Sequence, residues 1–129
     1  RWLNVTGVQT CALPISRVDQ IQARTKATLD RAEIALVELI ESIKAAAAAG
    51  ATEEQLRPAR TLQRKAQWRA DLINAENSMG FHAPAEALRI LSESIDYARQ
   101  GVTEVARLGP GTAPAPPAAK PAASAARAP

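Results

Sequence analysis

The sequence predicts an all-α fold: two long antiparallel helices, a third helix folding back on them, and a disordered Ala/Pro-rich C-terminal tail. Three observations carry that expectation. From Arg17 to Ala49 there is neither glycine nor proline, and good helix formers dominate. Two junctions then pair a helix-ending glycine with a helix-starting signal: Gly50 before Thr52-Glu53-Glu54-Gln55, and Gly80 before Pro84. After Leu108 the composition changes abruptly to Gly, Pro and Ala with occasional basic residues.

In the first predicted helix Val18, Ile21, Thr25, Leu29, Ala32, Leu36, Leu39, Ile40 and Ile43 recur at threes and fours, one apolar stripe on a helix of roughly 50 Å. Lys44 suits its negative C-terminal end, and Gly50 is its natural stop. Shorter companions cannot cover so long a stripe. Part of Leu29 to Ile43, Leu36 included, is therefore expected to lie exposed as an apolar strip that a second copy could cover.

The second helix opens on a capping box, with Thr52 as N-cap and Gln55 reaching back. Pro58 comes late for a first-turn proline, which predicts a small kink or a ragged start. The helix is expected to continue through Leu62, Ala66, Ile73 and Ala75 to Met79, with Trp68 packed between helices one and two. A connection of two or three residues makes those helices antiparallel neighbours. The third helix starts at Pro84, buries Leu88, Leu91, Ile95, Ala98 and Val102, and is expected to fray at Gly101. Residues 109–129 cannot bury enough apolar surface to offset their chain entropy.

A chain of 129 residues allows one domain. Its single cysteine, Cys11, permits no internal disulfide, and no Cys-x-x-Cys-His run is present to anchor haem covalently. No apolar run approaches the ~18 residues that a membrane span needs. The net charge of +3 is misleading, because Arg1, Lys120 and Arg127 flank a body in which 13 basic residues meet all 13 acidic ones. A neutral body argues against a nucleic-acid partner, which would want a basic face on the folded part.

His82 is the only histidine. Taken alone it reads either as a helix-junction residue with one satisfied nitrogen or as a neutral imidazole ligand. Arg57, Arg60, Arg64, Lys65 and Arg69 have no acid between them and read as a solvated face, a carboxylate clamp or a phosphate-backbone contact. Glu76, Glu86 and Glu93 form no pair with acid–base spacing, and Glu86 is explained by the dipole of the third helix. No nucleophile with a base, no metal cluster and no phosphate loop is evident, so no catalytic residue is assigned.

Lys65-Ala66-Gln67-Trp68-Arg69, then Ala75 to Pro84 with its Phe81-His82-Ala83-Pro84 motif, then Ala85 to Leu91, together resemble the C-terminal region of the pentahaem cytochrome c nitrite reductases, the periplasmic ammonia-forming enzymes. The resemblance covers about Arg17 to Leu108. It implies that His82 is an axial ligand to one bis-histidine haem, and that the basic cluster could meet haem propionates. It also implies that the long helices build a homodimer interface. Haem c, calcium and the catalytic side chains would come from upstream sequence, electrons from a donor cytochrome or quinol dehydrogenase, and this portion alone would be catalytically silent.

Val5 to Ile15 resembles the in-frame translation of a short-read sequencing adapter. The expected organisation is therefore a non-native scar over residues 1–16, a helical cytochrome portion over 17–108 and a tail over 109–129, with upstream sequence lost. Two other readings stay open. One is a stand-alone helical interaction module; the other is a basic DNA-binding helical protein using its tail like a linker-histone arm.

Overall fold

A computed structural model describes residues 6–109, with side chains from residue 15 onward. It contains α1 (Thr6–Ala48), α2 (Glu53–Asn74) and α3 (Pro84–Ala106), and no strand among the described residues. The helices form an up-down-up bundle in which each packs against both others. Contacts fix the directions. Gln22, in the first half of α1, meets Ser78 beyond the end of α2. Ser94 of α3 meets Ala66 of α2, and Gly101 of α3 lies against Leu39 of α1.

With 43 residues, α1 spans roughly 65 Å, nearly twice the length of α2 or α3. It starts at Thr6 rather than Arg17, so residues 6–15 of the adapter-like segment lie within the helix. The side chains of that segment before Ile15 lie outside the described residues, and Ile15 itself is 62% exposed. The apolar stripe forms as expected from Thr25 through Leu29, Ala32, Leu39 and Ile43, with Ala35 added to it. Leu36 departs from expectation. It shares the phase of Ala32 and Leu39 and is buried, whereas Ile34 and Val37, on roughly the opposite side of the helix, are 69% and 57% exposed.

The capping box of α2 is realised in both directions. The Gln55 N–H donates to Thr52 Oγ1 at 3.3 Å, and the Thr52 N–H donates to Gln55 Oε1 at 2.8 Å. Pro58 is accommodated inside the helix. Leu56, Ala59, Ala66, Ala70 and Ile73 form the buried face. Trp68 does not pack between α1 and α2. It falls halfway between Ala66 and Ala70 in sequence, which points it away from that face, and it is 62% exposed. The helix ends at Asn74 rather than Met79, because residues 76–80 turn sharply instead.

Pro84 occupies the first turn of α3, as expected of a residue without an N–H. Leu91, Ile95 and Ala98 are buried, while Leu88 and Val102 are only half-buried. Gly101 does not fray the helix, which runs on to Ala106. A Cβ at Gly101 would lie 2.6 Å from Leu39 Cδ2, so the glycine makes room for a leucine of α1.

Leu29, Leu39, Leu56 and Leu91 are the largest wholly enclosed apolar side chains. Each contributes about 1.5–3 kcal/mol by burial. Between them lie the alanines Ala32, Ala59, Ala66, Ala70, Ala87 and Ala98, which bury little area but let the helices approach closely. A buried polar bond crosses this seam: Ser94 Oγ donates to the Ala66 carbonyl at 2.7 Å. The tail beyond Gly109, expected to be disordered, lies outside the described residues.

Candidate functional site

The segment between α2 and α3 is organised by a carboxylate. Glu76 Oε1 accepts the Ser78 N–H at 3.0 Å, and Glu76 Oε2 accepts the Gly80 N–H at 2.9 Å. These bonds favour the ionised form and hold the carboxyl below its ordinary value of 4.5, with the Ser78 side chain the first cause and the Gly80 and Ser78 N–H groups next. Met79 and Gly80 take positive φ angles of 50° and 78°, which reverses the chain. Gly80 is required twice over. Its φ is left-handed, and an added Cβ would lie 2.6 Å from Thr25 Oγ1 and 3.1 Å from Ala87 Cβ.

The turn is also tied to α1, where Gln22 Nε2 donates to the Ser78 carbonyl at 3.2 Å. From this platform the His82 N–H donates to Ser78 Oγ at 3.3 Å. The imidazole is exposed, its ring centre 5.8 Å from that of Phe81 and tilted by 56°. It stands at the rim of a groove of about 430 Å³ whose apolar walls are Leu72, Ile73, Ala75, Ala83, Ala87 and Ile90. Glu76 and Glu86 lie at the same rim. An exposed imidazole beside an apolar groove can offer a neutral nitrogen to a metal held in a flat, apolar ligand.

The basic cluster on α2 does not converge on this groove. Arg57 pairs with Glu54 at 2.6 Å and Arg60 with Glu53 at 3.0 Å. Arg69 pairs with Glu93 at 2.8 Å and lies 4.6 Å from the centre of the Tyr97 ring, with Lys65 at 5.5 Å over the same ring. The acids come from the first turn of α2 and from α3, positions that a scan along the cluster does not reveal. Exposed pairs of this kind contribute little stability. Arg89 bridges Glu86 and Glu93, so all three carboxylates considered in the sequence are engaged locally.

Sequence reasoning located His82 and missed what holds it. The sequence alone weighs Glu76 only for acid–base pairing and Thr25 only for the helix stripe, and it gives Gln22 no role. A usable signal was present: an acid just past a helix end, followed at the fourth position by glycine, can take two N–H bonds in the turn. Among the described residues no group of three or more His, Cys, Asp or Glu side chains is placed to hold a metal ion. No helix of the described residues is long and apolar enough to cross a membrane.

Comparison with known families gives a match that spans most of the chain. The profile of the cytochrome c552 family aligns with residues 13–128, from within the adapter-like segment to near the end of the tail. That alignment covers the whole region from Arg17 to Leu108 and the turn that carries His82. The chain belongs to the cytochrome c552 family, and so to the nitrite reductase-type cytochromes that carry haem c.

Proposed function

We propose that this chain is the C-terminal helical portion of an ammonia-forming cytochrome c nitrite reductase, a periplasmic enzyme reducing nitrite to ammonia with six electrons. In this reading His82 is an axial ligand to one electron-transfer haem. The observation that carries it is the exposed His82 imidazole at the rim of an apolar groove, in a chain of the cytochrome c552 family. A haem bound there supplies one-electron redox chemistry at its iron. The chain's own part is to present a neutral imidazole nitrogen and to keep water off one apolar surface with Leu72, Ala83, Ala87 and Ile90. Glu76 and Glu86 at the rim are poor neighbours for propionates, and the arginines of α2 are mostly paired elsewhere.

Nitrite chemistry, calcium and the contact with an electron donor are assigned to other parts of the parent enzyme, and the chain alone is catalytically silent. The outward face of α1 around Ile34 and Val37 is the proposed homodimer surface. Ferric haem added to the purified chain should give a low-spin absorbance spectrum that His82→Ala abolishes; an identical spectrum without His82 overturns the ligand assignment. Sedimentation of the chain with and without Ile34→Asp and Val37→Asp tests the dimer surface. A monomer at every accessible concentration, unaffected by both changes, overturns it.

A further inference from the structure

Glu76 stands where a carboxylate is electrostatically disfavoured. Asn74 ends α2 and Ala75 caps it, so Glu76 lies just past the negative end of the helix dipole. A side chain that merely tolerated the surface would point into solvent there. Instead both of its oxygens are used, one on the Ser78 N–H and one on the Gly80 N–H. The next link runs through Ser78, whose Oγ accepts the N–H of His82. Carboxylate, Ser78 and the histidine backbone thus form a continuous chain of bonds within seven residues of sequence. The left-handed angles at Met79 and Gly80 are the conformation that these bonds enforce, and Met79 adopts it without the freedom of a glycine.

Resting on the reading of His82 as a haem ligand, we propose that Glu76 is the positioning residue for that ligand. Its carboxylate fixes the turn from which the imidazole is presented at the groove. It acts through the backbone and does not touch the imidazole by a hydrogen bond. Glutamine at position 76 keeps one acceptor oxygen and so preserves one of the two bonds, whereas alanine removes both. The two substitutions should therefore grade the effect.

Because His82 is the only histidine, its imidazole resonances report the ring position without any haem. In the full chain, Glu76→Ala should shift those resonances and accelerate amide exchange at Ser78 and Gly80 about tenfold or more, while core amides of α2 and α3 keep their protection. Glu76→Gln should fall between. With ferric haem as probe, Glu76→Ala should weaken low-spin ligation about tenfold, and His82→Ala should abolish it. Unchanged imidazole resonances in Glu76→Ala overturn the positioning role. So does full ligation by Glu76→Ala when His82→Ala has lost it. Ligation that survives His82→Ala overturns the ligand reading instead, and the haem-free resonances then still decide whether Glu76 sets the ring.

Discussion

Gly101 of α3 and Leu39 of α1 make a contact whose energetics can be separated by a double-mutant cycle. Gly101 lies inside a helix, where alanine is intrinsically better by about 0.8–1 kcal/mol. Against that stands the space: a Cβ would fall 2.6 Å from Leu39 Cδ2 and 2.7 Å from Cδ1. Leu39 is completely buried, so its methyl groups cannot swing into solvent to make room. Overpacking of this kind costs about 1–3 kcal/mol. The net expectation for Gly101→Ala is a loss of roughly 1 kcal/mol. Leu39→Ala alone should cost about 3 kcal/mol by lost burial and cavity formation. In the Leu39→Ala background the clash is gone, and Gly101→Ala should become stabilising by about 1 kcal/mol. The coupling between the sites is then about 2 kcal/mol. Urea unfolding of the four proteins, followed by far-ultraviolet circular dichroism, measures it. A Gly101→Ala effect of the same sign and size in both backgrounds would refute the packing argument.

Gly80→Ala combines a left-handed φ of 78° with a 2.6 Å approach to Thr25 Oγ1, so it should cost more than the roughly 1–2 kcal/mol of backbone strain alone, and chemical denaturation will show whether it does. Trp68→Ala should leave stability within about 0.5 kcal/mol, since the indole is 62% exposed; a loss of 2 kcal/mol or more would mean that it packs in the monomer after all. The pH response of the turn follows from Glu76. Its folded pKa lies below the unfolded value of 4.5, so its contribution is fully present above about pH 4.5 and is lost as pH falls through the folded pKa. The Gly80 amide resonance should hold steady above pH 5 and move only below 4.5; a midpoint at or above 4.5 would contradict the bonds described.

Much of the fold was legible because helix signals are local. Thr52 and Gln55 announce a capping box in four residues, Gly50 and Pro84 mark an end and a start, and each behaves as its chemistry requires. What failed depended on a neighbour. Gly101 looks like a helix breaker until Leu39, far away in sequence, is seen to need the space. Trp68 has the composition of a core residue but the phase of a surface one, and an isolated aromatic in an alanine-rich helix gives its size more weight than its angle. Leu36 lies on the predicted stripe of α1 and Ile34 off it, but which apolar residues of α1 stay uncovered follows only from where α2 and α3 pack. The site was half legible. His82 stood out as the sole histidine between two helices, but Gln22 is 56 residues from the Ser78 carbonyl that it holds, and no pattern in either segment joins them.

The bonds that shape the His82 turn differ sharply in sequence range, and this has a consequence for the order of folding. Glu76 reaches two and four residues ahead, and the Ser78–His82 bond also spans four. Closing loops this short takes well under a microsecond and costs little chain entropy, so the turn can form as soon as α2 has formed. The bond from Gln22 and the close packing of Thr25 against Gly80 require α1 to dock and come with the closure of the bundle. A histidine-bearing turn of this design reaches its shape early, from local instructions, and is afterwards clamped by the long helix. Substitutions at Glu76 should therefore slow folding relative to their effect on stability more than substitutions at Gln22, which should act mainly on the unfolding rate.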